Sequence, residues 1–203
     1  MPRITGIMPV SKRAKRSNIF IDNKFFCRLN FSTIEEGELA YLQEIDIEKI
    51  ISLQYDKEKN EALDLSMQYL KARKTEKQVI DYLKEKGYLD KVISFVMEKL
   101  KGYNFIDDME YATAYVEQFS SKKGKRLLKR ELYLKGVSEE IISEALLDYD
   151  EDEDGLYLLL VKYYKGKALD YKTIAKGYNY ALNKGFDGSL ISNVIDRIKN
   201  ENN

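Results

Sequence analysis

The sequence has no histidine, no tryptophan, one cysteine and two prolines among its 203 residues. Each scarcity removes a class of chemistry. Without histidine, Ser-His and Cys-His nucleophilic sites and imidazole-ligated metals are excluded. With Cys27 alone, neither an intrachain disulfide nor a multi-cysteine zinc site can be built. Cys27 sits in an apolar stretch and reads as packing rather than as a reactive thiol. No run of about 18 apolar residues occurs, so no membrane-spanning helix is expected. The basic residues Lys12, Arg13, Lys15 and Arg16 interrupt the N-terminus before a signal-peptide core can form. The expectation is a soluble, cytoplasmic chain that is not an enzyme, uses no cofactor, binds no metal and touches no membrane.

Charge is abundant but balanced, with 34 basic and 34 acidic residues. The balance is made of blocks. Residues 1–30 hold seven basic groups against Asp22, and residues 31–56 hold seven acids against Lys49. Residues 122–135 hold seven basic groups against Glu131, and residues 139–154 hold nine acids and no base. Residues 155–185 return to +5, six lysines against Asp170. Fields act within a Debye length of about 8 Å, so a block can select a partner although the total cannot. The competing reading is that adjacent blocks of opposite sign pair with each other.

Both prolines, Pro2 and Pro9, precede Val10, and the rest of the chain permits long helices. An internal repeat is the main signal. Lys86-Gly87, Lys135-Gly136 and Lys184-Gly185 are spaced 49 residues apart. After each glycine the same apolar pattern recurs: Tyr88, Val137 and Phe186 first, then Val92-Ile93, Ile141-Ile142 and Leu190-Ile191. Val96-Met97, Ala145-Leu146 and Val194-Ile195 follow, and Leu100, Tyr149 and Ile198 close the stripe. That spacing marks one buried helix face, and the glycine suits the left-handed residue that ends the helix before it. Leu83, Leu132 and Ala181 mark the core side of that preceding helix, and Ser66, Tyr115 and Tyr164 share a register on the first helix of each unit.

The expected fold is mainly α: three tandem three-helix repeats in an elongated array behind a small β-hairpin-containing segment. The boundaries expected are 1–56 for the N-terminal cap with a short helix, then 57–104, 105–153 and 154–203 for the repeats. In the first repeat the helices fall at about 60–72, 75–86 and 90–101, with the others offset by the repeat length. In the cap, Ile19-Phe20-Ile21 and Phe25 through Phe31 flank a turn at Asp22-Asn23-Lys24, and Ile4 through Val10 can add a strand. Ser32-Thr33-Ile34-Glu35 has the form of a capping box, and Asp46 can cap a short helix running to Leu53.

In the second repeat, Phe105-Ile106-Asp107-Asp108, Tyr111-Ala112, Gly124, Glu131-Leu132 and Lys135-Gly136-Val137 follow one another in order. This series resembles the signature of the RecX regulators of the RecA recombinase. The likeness covers about Asn60 to Ile198, and the hairpin resembles that of longer family members. The third repeat departs from it, with Gly177 where the others have Val79 and Leu128. A glycine inside a helix costs about 1 kcal/mol, so its middle helix is expected to be less rigid. The resemblance implies a monomeric, non-enzymatic modulator, lying in the groove of the RecA–single-stranded DNA filament. It would inhibit filament growth, ATP hydrolysis and strand exchange, and so temper recombination, DNA repair and the SOS response. Single-stranded DNA is a second candidate partner. The alternative is a stand-alone DNA-binding protein whose repeats act as helix-turn-helix-like units, against which the zero net charge counts. A carboxylate-based enzyme has only dispersed acids in its favour.

The candidate contact surface is Lys122, Lys125, Arg126, Lys129, Arg130 and Tyr133, which fall within about 140° on a helical wheel. Leu127, Leu128, Leu132 and Leu134 occupy the opposite arc. Such a face can meet phosphates or an acidic protein strip. The bland readings are a solvated face or one paired with residues 148–154. Secondary basic candidates are Lys12, Arg13, Lys15, Arg16 and Arg73, for which gripping DNA and simple solubility are both open. Asp107-Asp108 reads as the start of a helix rather than as a carboxylate site. The sixteen tyrosines admit base stacking, but their helical offsets favour packing.

Overall fold

The computed structural model describes residues 1–201 and divides into two compact units, Met1–Asp107 and the residues from Asp108 on. In the first unit, period-two alternation builds an antiparallel sheet in the order β1 (Ile4–Pro9), β2 (Arg16–Ile21), β3 (Lys24–Asn30). Ile4, Ile19, Ile21, Cys27 and Leu29 form its buried face. Burial pushes the Cys27 thiol up to about 12, consistent with a packed rather than reactive sulfur. The β2–β3 turn is the pair Asp22-Asn23 alone, with φ of 47° and 65°. Two positive φ values match the twist of the paired strands, and Lys24 already belongs to β3.

Two local expectations fail here. The capping box at Ser32 does not form, because β3 runs directly into α1 (Phe31–Glu36) and Asn30 takes the N-cap position. The backbone N–H of Asn30 donates to Glu58 at 2.7 Å, which sets the helix start two residues early. The short helix after Asp46 and the first repeat helix are also one element, α2 (Ile47–Tyr69), so the boundary expected at 56/57 lies inside it. Asp46 does cap it, accepting from the Glu48 N–H at 3.1 Å. Its buried stripe is Ile50, Gln54, Glu58, Ala62 and Ser66, at strict four-residue spacing. The first three residues face the sheet, and the last two face the repeat core of Val79, Leu83, Val92, Val96 and Leu100. One helix therefore serves two cores. α3 (Glu76–Glu85), started by a Thr75/Gln78 capping box, and α4 (Asp90–Gly102) complete the first repeat.

The polar part of that stripe forms a buried network. Arg16 donates to Glu58 at 2.8 Å, to the Arg28 carbonyl at 2.8 Å and to the Lys86 carbonyl at 2.9 Å, and lies 4.3 Å over the Tyr88 ring. Burial raises the Glu58 carboxyl above its usual range, while the Asn30 N–H and Arg16 pull it back. Gln54 bonds the carbonyls of Arg28 and Gly87 and accepts from the Leu89 N–H. These bonds hold the sheet, α2 and the α3–α4 turn together.

The second unit holds two further three-helix sets: α5 (Asp108–Phe119), α6 (Lys125–Leu134), α7 (Glu139–Ala145), then α8 (Glu153–Tyr164), α9 (Tyr171–Asn183), α10 (Gly188–Glu201). Gly87, Gly136 and Gly185 all have left-handed φ, at 82°, 88° and 90°, as the repeat demanded. Leu83, Leu132 and Ala181 are fully buried. The 49-residue offset breaks at α8, which ends early, while α9 starts early and gains almost a turn over α3 and α6. α7 also stops short of its expected end near residue 150. Among the described residues, no helix is long and apolar enough to cross a membrane.

Gly177 has a packing reason. A Cβ there would stand 2.0 Å from the Tyr164 hydroxyl and 2.3 Å from its ring. Tyr164 is buried and its hydroxyl donates to the Ile174 carbonyl at 3.3 Å. The first repeat divides the same space the other way, with Ser66 small and Val79 large. The glycine thus makes room for a ring.

Two outcomes follow for stability. Glu58→Ala strands the Arg16 charge and should cost about 3 kcal/mol in urea denaturation, with Glu58→Gln costing less; equal, small losses would show the network to be dispensable. Gly177→Ala should cost about 1–3 kcal/mol by overpacking despite its better helix propensity. Combining Gly177→Val with Tyr164→Ser should recover at least about 1 kcal/mol relative to the sum of the single changes, whereas simple additivity would refute the exchange of volume.

Candidate functional site

α6 is amphipathic, and its geometry follows from its leucines. Leu128 and Leu132 are fully buried, which turns Lys125, Arg126, Lys129, Arg130 and Tyr133 outward. Lys122 is exposed but lies in the turn before the helix, so the continuous stripe has five members rather than six. Leu134, expected in the buried arc, is 71 % exposed, because at 100° per residue it stands about 120° from Leu128 and about 160° from Leu132, on the side of Arg130.

The stripe runs against the helix dipole. Most helices of this chain carry an acid in the first turn; α6 begins Lys125-Arg126 with none. Cations there are disfavoured by about 0.3–1 kcal/mol each. Glu151 offsets part of this by accepting from the backbone N–H of Lys125 at 2.8 Å and of Asp187 at 2.7 Å. The start of α6 also touches the α9–α10 turn backbone to backbone. The Gly124 N–H donates to the Lys184 carbonyl at 3.0 Å, and a Cβ on Gly124 would lie 2.3 Å from the Gly185 carbonyl.

The candidate residues differ in what already holds them. Arg126 donates to the Leu182 carbonyl at 2.7 Å and so caps the C-terminal end of α9. Arg28 does the same in the first unit, donating from its guanidinium to the Glu85 carbonyl and from its backbone to the Gly87 carbonyl. These two arginine caps were not legible as such in the sequence, although a Lys-Gly turn with orphan carbonyls calls for a donor. Lys129 pairs with Glu139 at 2.9 Å in an exposed ion pair of small energetic weight. Among the described residues, Lys125 and Arg130 make no side-chain ion pair, and Tyr133 is 67 % exposed. Lys123, outside the candidate set, is tied to Glu131 at 2.6 Å and lies 3.9 Å over the Phe119 ring.

The acidic run does not neutralise this stripe through side chains. Glu151 meets backbone N–H groups, Asp152 caps α8 by accepting from the Gly155 N–H, and Glu153 and Asp154 face Arg197. Burial, then the nearby Glu151 and Asp152, push the Tyr149 hydroxyl up to about 12. A cleft of about 740 Å³ lies where Lys125, Arg126 and Lys129 approach Glu151, Asp187 and Phe186.

The secondary candidates lie in the first unit. Lys12, Arg13 and Lys15 are exposed in the β1–β2 loop, and Arg73 is exposed between α2 and α3. Arg16 is not available to a phosphate, since Glu58, two carbonyls and the Tyr88 ring occupy its guanidinium. Asp107 immediately precedes α5, and Asp108 and Glu110 lie in its first turn, where carboxylates complement the dipole. Tyrosines at the repeated helical offsets pack: Tyr69 stacks on Tyr82 at 4.1 Å, Tyr163 on Tyr180 at 4.8 Å, and Tyr88 and Tyr164 are buried, whereas Tyr41, Tyr103, Tyr133 and Tyr171 are exposed.

The fold and its outward cationic helix describe a class: a helical-repeat protein that presents a basic surface. The family model for the second three-helix domain of RecX matches residues 107–146. The Regulatory protein RecX of Bacillus licheniformis is 33% identical over 209 residues, covering 100% of this chain and 80% of that protein. The Regulatory protein RecX of Clostridium perfringens strain 13 is 32% identical over 216 residues, covering 98% of each. A crystal structure of regulatory protein RecX shares the fold, with a TM-score of 0.62 at 24% identity, over 97% of this chain and 100% of that one. The chain belongs to the RecX family.

Because Lys125, Lys129 and Arg130 are solvated, the triple variant K125E/K129E/R130E should melt close to the parent, with each exposed change within about 0.5 kcal/mol. Arg126→Glu alone should cost about 1 kcal/mol, having removed a hydrogen-bonded cap. A large drop in the melting temperature of the triple variant would show the stripe to be part of the packing.

Proposed function

We propose that this chain is a non-enzymatic regulator that inhibits RecA by binding in the groove of the RecA–single-stranded DNA filament. The observation that carries this is the ordered series from Ile106 to Val137, folded as α5–α7 in a chain of a family of regulatory proteins. The contact assigned is the α6 stripe, with Lys125, Lys129, Arg130 and Tyr133 meeting the anionic filament and Arg126 dividing its role between cap and contact. Exposed lysine and arginine release counterions when they meet phosphate, and attract an acidic protein strip by the same charge. Lys12, Arg13 and Lys15, exposed in the β1–β2 loop, supply a second contact of the same sign. Through the filament the protein would modulate its assembly, ATP hydrolysis and strand exchange, acting as a monomer in the cytoplasm and tempering recombination, repair and the SOS response. The stand-alone DNA-binding reading has less behind it, since the chain carries no net charge.

RecA-catalysed ATP hydrolysis on single-stranded DNA and strand exchange should both slow at near-stoichiometric or lower amounts of the protein. The triple variant K125E/K129E/R130E should inhibit at least about tenfold less well, corresponding to about 1.4 kcal/mol of lost binding. If saturating parent protein leaves both RecA activities unchanged at physiological salt, the reading fails. If the variant inhibits like the parent, α6 is a bystander.

A further inference from the structure

The first helix of the third repeat turns aliphatic residues outward. Leu156, Leu160 and Tyr164 fix the buried side of α8. The opposite side carries Asp154, Leu158, Val161 and Lys165, all exposed and within an arc of about 60° on a helical wheel. Leu158 is 66 % exposed and Val161 40 %. Lys165 ends the helix but keeps its register, since its backbone N–H donates to the Val161 carbonyl at 3.0 Å. The repeat itself does not ask for such a ridge. α5, the first helix of the second repeat, exposes Glu110, Thr113, Glu117 and Gln118, and the end of α2 exposes Asp64, Met67 and Gln68. An outward pair of branched aliphatic side chains is particular to α8.

The order of charges along the ridge says what fits it. Asp154 and Lys165 stand equally far, in opposite directions, from the midpoint between Leu158 and Val161. An antiparallel copy of the same helix therefore sets each Asp154 opposite Lys165 of the other copy. At 1.5 Å per residue the two ion pairs lie about 16 Å apart, with four aliphatic side chains between them. The charged ends are open to this use. The Asp154 side chain is 85 % exposed although Arg197 lies 3.3 Å away, and among the described residues Lys165 has no carboxylate within ion-pair distance.

We propose that α8 is a self-association surface, pairing antiparallel with α8 of a second copy of this chain about a two-fold axis between Leu158 and Val161. A two-fold contact requires a patch complementary to itself, and a ridge with opposite charges equidistant from its centre is one. Parallel pairing would set Asp154 against Asp154 and Lys165 against Lys165. A polyanion would be repelled by Asp154 and would gain nothing from the aliphatic pair. A contact three turns long is smaller than the roughly 1,200 Å² of a stable interface, so the chain stays monomeric when dilute and pairs when concentrated. The pairing does not rest on the regulatory reading. Its test contains neither recombinase nor DNA, so its failure leaves that reading standing.

Sedimentation velocity of the full chain from about 5 to about 500 μM, where weak contacts are read, tests it. The parent should move from monomer toward dimer across the series, and L158D/V161D should stay monomeric throughout. D154K and K165D each set like charges against each other twice in a homodimer, and each should weaken association at least about fivefold. An equimolar mixture of D154K with K165D restores both ion pairs in the mixed dimer, and should associate more tightly than either variant alone. Altered folding of one variant cannot produce that result. The pairing is overturned if the parent is monomeric at the highest concentration, if L158D/V161D associates like the parent, or if the mixture associates no better than its components. A large drop in the melting temperature of L158D/V161D would also overturn it, because the ridge would then belong to the fold's own packing. Flotation of the parent with phosphatidylglycerol vesicles, lost in L158D/V161D, would assign the ridge to a lipid surface and overturn the pairing.

Discussion

The turn at the end of each repeat's second helix is the constraint on which the rest is built. A helix that stops leaves carbonyls without donors, and a left-handed glycine directs the chain into the next helix. At Gly87 and Gly185 the absent Cβ is also needed as space, because Arg28 in one case and Leu127 in the other lies within 2.6 Å of where it would be. Whatever packs on the glycine also supplies the missing donors. In the first unit, Arg28, Arg16 and Gln54 bond the carbonyls of residues 85–87. In the second, Arg126 and the Gly124 N–H bond those of Leu182 and Lys184. At Gly87 and Gly185 one turn therefore ends a helix, positions the next and docks a neighbouring element.

This arrangement accounts for the charge blocks. Acids cluster where backbone donors need acceptors: Asp46, Asp152 and Asp170 at helix starts, Glu151 across two N–H groups, Glu58 beneath β3. Cations are left outside, on α6 and α9, which are also helices without a first-turn acid. A chain with no net charge can thus present cationic faces, because carboxylates such as Asp46, Glu58, Glu151, Asp152 and Asp170 are engaged with its own backbone while the lysines of α6 and α9 stand exposed. The local asymmetry, not the total, is what a partner meets.

The repeats were legible because buried faces repeat with the period of the helix, and the glycines that separate them can hardly be replaced at positive φ. The hairpin was legible from alternation and its Asp-Asn turn. The fusion of two expected helices into α2 was not, because periodicity marks faces and is silent on whether a face changes partner along one helix. Nor was the shift of α8 and α9, where Gly177 and Tyr164 exchange volume across a helix pair. Of the candidate residues, the outward direction of Lys125, Lys129 and Arg130 was readable from the leucines opposite them, while Arg16 and Arg126 looked the same as their neighbours in sequence.

By itself the sequence determined the number of repeats, the sidedness of α6, the left-handed turns and the exclusion of histidine-based sites and of an intrachain disulfide, since all of these depend on residue type and local spacing. Only the tertiary structure decided which charged groups are engaged. Arg16 is enclosed by Glu58 and two carbonyls from distant segments, Arg126 is held by the end of α9, and Glu151 bridges the starts of α6 and α10. A hydrogen bond between residues tens of positions apart depends on where packing brings the backbone, and neither composition nor periodicity carries that information.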